Sequence, residues 1–518
     1  MIIRPDADNL CMMFVLPSRG PLALLSVATV AVLLLLAAAA LPAAAQQPVN
    51  TLPPEVSALL VQAKVPREAL AAIVVDAAPS VTGRSAPLLS VQAGMAMSPA
   101  SVMKLVTTYA ALELLGPAYT WATPVYLDGT VADSVLTGNL IIQGRGDPKL
   151  VQERLWLLLR RVQSLGIKTI TGDILLDRSA FAPSRQSPAD FDGEPLRPYN
   201  AAPDALLLNF KSVVMTFKSQ PTGATASVSF EPPLAQVQTQ ASVALSAPGA
   251  DCGDYRSALK AHFSDPLRIS FEGSYAASCG EKVWAVAYAD PARYAERAVL
   301  GMWQALGGKL GGHVKEGSAP AGLHPVFEAM SPPLAEVIRD INKYSNNVMA
   351  QQLFLTLSLQ PGSAASAEAS REVVGRWWRE RFGEQDVPVL DNGSGLSRTE
   401  RISPQGLARL LQTAFASAAM PELMASLPIA GVDGTLHHSK SRLSAGAAHL
   451  KTGSLKDSIA LAGYLHTPSG RRLVVAAIIN HPNAPAARPA LNALVDWAVK
   501  ESARQELKQQ SRPELQRY

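Results

Sequence analysis

Ser101 and Lys104 stand three residues apart in the stretch Ser98-Pro99-Ala100-Ser101-Val102-Met103-Lys104. On a helix such a pair shares one face, about one turn apart. A hydroxyl is a weak nucleophile at its own pKa and needs a base beside it. A lysine can be that base where burial and positive neighbours remove its proton. The chemistry open to this pair is acyl transfer through serine. The flanking sequence predicts the helix that would position it. Ser98 can cap, and Pro99 suits the first helical position, where its missing N–H costs nothing. Leu105, Thr108, Tyr109, Leu112 and Leu115 recur at helical spacing, and Gly116-Pro117 ends the run. Ser101 then lies in the first turn, where free N–H groups and the positive dipole end favour a developing anion. The apolar residues after Lys104 can desolvate it.

The spacing alone discriminates little, because Ser257-Ala258-Leu259-Lys260 repeats it. No proline precedes that copy, and His262, Ser264, Asp265 and Pro266 follow it in place of an apolar helix, so it reads as a surface turn. Two other signals follow Ser101 in chain order. Ser345-Asn346-Asn347 interrupts a helical stretch, 333–359, with three residues that form helix poorly. Lys451-Thr452-Gly453 sits at the head of strands expected over 449–452, 459–466 and 472–479. Pro468-Ser469-Gly470 turns the last two into a hairpin, and the continuously apolar run 473–479 reads as a central buried strand.

Ser-x-x-Lys opening a helix, Ser-x-Asn at a helical junction and Lys-Thr-Gly on an antiparallel strand is the ordered triplet of class A β-lactamases and penicillin-binding proteins. Asp391-Asn392-Gly393-Ser394-Gly395-Leu396-Ser397-Arg398, Leu427-Pro428-Ile429-Ala430-Gly431-Val432-Asp433-Gly434-Thr435-Leu436 and Leu450-Lys451-Thr452-Gly453-Ser454-Leu455 extend the match. They closely resemble the D-alanyl-D-alanine carboxypeptidase/endopeptidase family of low-molecular-mass penicillin-binding proteins (peptidase family S13, penicillin-binding protein 4 type). Gly144-Arg145-Gly146-Asp147-Pro148 and Gly172-Asp173-Ile174-Leu175-Leu176-Asp177 fit it too. One departure is Asn346, where the pattern often has Asp.

The resemblance implies an α/β (α+β) fold: a serine β-lactamase/transpeptidase-like domain, with an antiparallel sheet flanked by helices, and a β-rich inserted module. It implies a serine-type D-Ala-D-Ala carboxypeptidase with DD-endopeptidase activity, working on peptidoglycan stem peptides and acylated by β-lactams. Ser101 would be the nucleophile and Lys104 the general base. Ser345 would relay a proton to the leaving amine, and Asn347 would hold Lys104 and the substrate amide. Lys451 would disfavour protonation of Lys104 and, with Thr452, bind the terminal carboxylate. Gly453 and Ser454 continue that substrate-binding strand, and the N–H groups of Ser101 and Ser454 would form the oxyanion hole. Asp147 could meet the free amine of diaminopimelate; the alternative is a turn residue before Pro148. No cofactor or metal is expected, and no nucleic-acid partner. A β-lactamase shares the triplet, but the Glu-x-x-Leu-Asn pattern of class A deacylation is not found. A non-catalytic wall-binding protein on the same fold is the third reading.

Bulk properties are compatible with this. The 518 residues allow about two to four domains. A 48% hydrophobic content suffices for large cores, and a net charge of +4 is too small to argue for a polyanion partner. The eight histidines are scattered without metal-ligand spacing. Residues 1–45 read as an export signal: Arg19, an apolar core over 22–41, then Ala43-Ala44-Ala45 before Gln46. The start could equally be Met12 or Met13, and an uncleaved anchor is the alternative, the one route to membrane contact. The mature chain is expected in the periplasm. Cys11 precedes the cleavage site, which leaves Cys252 and Cys279 as a disulfide or as two free thiols. The expected organisation is a discontinuous catalytic domain, 46–124 and 288–508, a β-rich insert over 125–287, and a frayed tail over 509–518. Helices are expected over 53–64, 148–165, 291–306, 365–382, 404–416 and 488–507. Strands are expected over 71–76, 88–92, 125–127, 139–143, 172–176, 213–217 and 226–230.

Overall fold

The structure, a computed structural model, describes residues 51–78, 86–184, 186–219, 223–439 and 443–510, the last three by backbone alone. The expected export signal and most of the expected tail lie outside these residues; residues 509 and 510 still belong to the last helix, Arg488–Gln510.

A five-stranded antiparallel sheet organises the chain. Its order is Ala448–Ser454, Ser458–His466, Arg472–Asn480, Leu70–Asp76, Leu89–Val91. Alternate residues of a strand point to opposite faces. In the third strand Val474, Ala476 and Ile478 enter one core, and Leu473, Val475, Ala477 and Ile479 enter another. The strand is apolar throughout because both of its faces are covered. Arg488–Gln510 and Pro54–Gln62 supply side chains to one cover. The other cover is Lys104–Leu115, Leu334–Lys343, Asn347–Thr356, Ala367–Phe382 and Pro404–Phe415.

The helical stretch expected over 333–359 is two helices. Leu334–Lys343 ends before Ser345, whose φ is +57°, and Asn346 caps the next helix by accepting the Met349 N–H at 3.0 Å. The three polar residues therefore make a break, with Ser345 at its turning point.

A second core lies in the β-rich module. Ala122–Ala132 and Val135–Gln143 pair from Val125 with Ile142 to Ala132 with Val135, through Asp133 and Ser134, both at positive φ, as a two-residue hairpin turn requires. The sequence reading found only the inner ends of these strands, because residues 128–133 are exposed and carry no apolar alternation. The module also extends further than expected. Tyr294–Ala305 packs on its core, and Phe327–Met330 pairs with the strand that begins at Ala122. The chain thus leaves and returns on neighbouring strands, near residues 122 and 330, where a return at 288 was expected. The helix and very short strands of 294–316 had hidden this. Cys252 and Cys279 are bonded, with Cα atoms 4.7 Å apart. Among the described residues no helix is long and apolar enough to cross a membrane.

Candidate active site

The helix carrying Lys104 starts differently from the expectation. Ser98 makes no side-chain cap. Ala100–Met103 is a 3-10 turn that passes into the α-helix Lys104–Leu115. The main chain of Ser98 is pinned to the sheet instead. Its N–H donates to Asn480 Oδ1 at 2.8 Å, and its carbonyl accepts from Asn480 Nδ2 at 3.0 Å and Ser458 Oγ at 2.7 Å. Ala100 then takes φ +47°, a left-handed conformation that costs an alanine about 1–2 kcal/mol. Two glycines make room for this turn. A Cβ on Gly395 would lie 1.9 Å from the Ala100 carbonyl oxygen, and one on Gly453 would lie 2.5 Å from that of Pro99. Gly453 thus brings the Lys-Thr-Gly strand against the backbone of Ser101.

Lys104 is fully buried. Its Nζ is 3.0 Å from Ser101 Oγ, 2.5 Å from Asn347 Oδ1 and 2.5 Å from the Ser394 carbonyl oxygen. Burial pulls its pKa well below the usual lysine range; the Lys451 ammonium lowers it further, and the Glu400 carboxylate opposes them. A neutral amine has two N–H donors and one lone pair. Asn347 Oδ1 and the Ser394 carbonyl can only accept, so they take both donors. The lone pair is left for the Ser101 hydroxyl proton.

Lys451 is also fully buried, and burial lowers its pKa to about 7. Its Nζ donates to Ser345 Oγ at 2.8 Å and to the Thr452 carbonyl at 2.7 Å. The lysine therefore sits beneath Ser345, while the half-buried Thr452 meets Thr435, Oγ1 to Oγ1, at 2.9 Å. Ser454 is exposed at the strand end, its hydroxyl accepting from Arg488 at 3.1 Å. Ser101, Lys104, Ser345, Asn347, Lys451 and Gly453, from three separate segments, are thus brought together.

Asp147 lies inside the module. It is 2% exposed, accepts the Lys149 N–H at 2.8 Å and is ion-paired with Arg154 at 2.5 Å. Arg154 also reaches the Met330 carbonyl at 2.7 Å, so the carboxylate braces the module internally.

Glu400, Asn480 and Ser458 were not singled out in the sequence, and Ser394 entered only as part of a matched motif, with no role. Each acts on or through main-chain groups, which carry no residue-specific motif. Gly393 and Gly395 are the available hint: a tight turn leaves backbone N–H groups that need an acceptor.

The chain matches the D-Ala-D-Ala carboxypeptidase 3 (S13) family over residues 52–501. It belongs to that family. The D-alanyl-D-alanine carboxypeptidase DacB of Haemophilus influenzae is 27% identical over 394 residues, 74% of this chain and 80% of that protein. The D-alanyl-D-alanine carboxypeptidase of an Actinomadura species is 27% identical over 426 residues, 80% of this chain and 78% of that one. The crystal structure of penicillin binding protein 4 from Haemophilus influenzae aligns with a TM-score of 0.66 at 24% identity, over 85% of this chain and 99% of that chain. This likeness shows the fold: a penicillin-binding protein fold of mixed α/β architecture with an inserted module.

Proposed function

We propose that this S13 family member is a serine-type D-Ala-D-Ala carboxypeptidase that also cleaves peptidoglycan cross-links, with Ser101 as nucleophile. The observation that carries this reading is the fully buried Lys104, 3.0 Å from Ser101 Oγ, with two acceptor-only neighbours. As Ser101 Oγ adds to the carbonyl carbon after a D-alanine, its proton passes to Lys104 Nζ. The oxyanion is received by the N–H groups of Ser101 and Ser454. Collapse breaks the C–N bond, and the leaving amine takes a proton through Ser345. Lys451 supports that step: it donates to Ser345 Oγ and so leaves the hydroxyl proton free for the amine. Lys451 and Thr452 attract the terminal carboxylate. Asn347, turned oxygen-first to Lys104, offers its amide N–H to the substrate. Water then hydrolyses the ester. Carboxypeptidase and endopeptidase reactions share this acyl-enzyme and differ in the amine released. In a β-lactam the leaving nitrogen stays tethered, so the adduct persists.

The chemistry belongs to the part of the chain outside the inserted module. The Cys252–Cys279 bond and the N-terminal apolar sequence support export to an oxidising envelope compartment, the periplasm. Mass spectrometry of the mature protein, with and without a β-lactam, tests the mechanism. The expected result is a slowly hydrolysed adduct on the Ser101 peptide, together with D-alanine released from a pentapeptide. Rapid turnover of the β-lactam would favour a lactamase, and an absent adduct with no D-alanine released would favour a binding protein.

A further inference from the structure

Glu400 is 1% exposed and lies outside the Ser-x-x-Lys, Ser-x-Asn and Lys-Thr-Gly motifs. Its Oε1 accepts the N–H groups of Asp391 at 3.1 Å, Asn392 at 3.1 Å and Gly393 at 2.7 Å, and its Oε2 that of Gly395 at 2.8 Å. The 391–395 turn is therefore wound around one carboxylate. The turn is also tied to the Lys104 helix, where Thr107 Oγ1 donates to the Gly393 carbonyl at 2.6 Å. Between those two glycines the Ser394 carbonyl takes one of the hydrogens of Lys104 Nζ.

We propose that Glu400 is a positioning residue for acylation: it holds the Ser394 carbonyl on Lys104, which aims the lone pair at Ser101, and it places a fixed negative charge behind the base. This rests on the reading of Lys104 as the base that activates Ser101. The direction of the lone pair depends on both acceptors. If the Ser394 carbonyl moves away, one N–H of the amine is free to turn toward Ser101, and the lone pair turns elsewhere. The charge has a second effect. A neutral Lys104 is needed for attack, but the base must still hold the proton that it takes. Burial and Lys451 lower its proton affinity, and Glu400 restores part of it. The charged groups set against Lys104 are thus Lys451 on the Lys-Thr-Gly strand and Glu400 behind the turn. Burial raises the pKa of Glu400 and Asp391 adds to that, while the turn amides pull it back down. Four N–H groups aimed at two oxygens favour the carboxylate over the acid, which would need an acceptor for its own proton.

The test is the pH dependence of β-lactam acylation, measured by stopped flow on the full mature chain, with the adduct mapped for each variant. A wild-type adduct on Ser101 keeps the parent reading intact, whatever the variants do. Glu400→Gln keeps the shape and removes the charge; its acylation is expected to slow at least ten-fold, with the acid limb moved to lower pH. Glu400→Asp keeps the charge but withdraws it from the turn; it is expected to slow acylation at least five-fold with the acid limb where the wild type has it. Equal limbs in wild type and Glu400→Gln would overturn the charge effect. An unslowed Glu400→Asp would overturn the positioning, and that variant decides it even if Glu400→Gln fails to fold.

Discussion

The same four-residue pattern occurs twice in this chain with opposite surroundings. At Ser101 the turn is pinned to the sheet by Asn480 and Ser458 and pressed by Gly395 and Gly453, and its lysine is fully buried. At Ser257 the serine lies on a five-residue helix, Tyr255–Leu259, capped by Asp254, and both Ser257 and Lys260 are exposed. The Ser257 hydroxyl donates to Asp254 Oδ2 at 2.6 Å, and Lys260 takes a left-handed φ of +46° that ends the helix. One lysine is stripped of water and surrounded by acceptors; the other ends a surface turn. A spacing becomes a catalytic pair only when a core closes over it.

That contrast can be broken in order of effect. Ser101→Ala should abolish both D-alanine release and covalent labelling by penicillin; residual labelling would mean a different nucleophile. Lys104→Ala should slow acylation about 10³-fold, the scale of a lost general base, read from single-turnover labelling. Gly395→Ala adds a methyl 1.9 Å from the Ala100 oxygen at a φ of +79°. It should destabilise the fold by about 2 kcal/mol and slow acylation at least ten-fold, seen in a denaturant melt and a labelling time course. Lys451 is the pH-sensitive partner. Its folded pKa is lowered to about 7, so the ammonium is present below that pH and lost above it. KM for a peptide ending in a carboxylate should therefore rise as pH passes about 7, and a flat KM would detach Lys451 from carboxylate binding. Ser257→Ala should leave labelling and D-alanine release unchanged, and a large loss there would erase the contrast.

How much of this was legible beforehand follows from what each residue interacts with. The central strands could be read because two buried faces demand an unbroken apolar run, as in Arg472–Asn480. The break at Ser345 could be read because its neighbours resist helix. The hairpin 122–143 was half missed because its outer end faces solvent, and the module's return at Met330 because it is helical before it is β. The contacts of Asp147 were not legible, because a carboxylate before a proline looks the same in sequence whether or not it is paired with a residue such as Arg154.

By itself the sequence determined the family, the order of the three motifs and the residue types that acyl transfer needs. Chemistry of that kind is local to side chains. The tertiary structure decided which of two identical spacings is buried, where the Lys104 lone pair points and that Glu400 stands behind it. Those outcomes depend on desolvation and on backbone groups brought from nearly three hundred residues away, such as the Ser394 carbonyl on Lys104 (|i−j| = 290). Peptide N–H and C=O groups are the same at every position, and only the fold tells them apart.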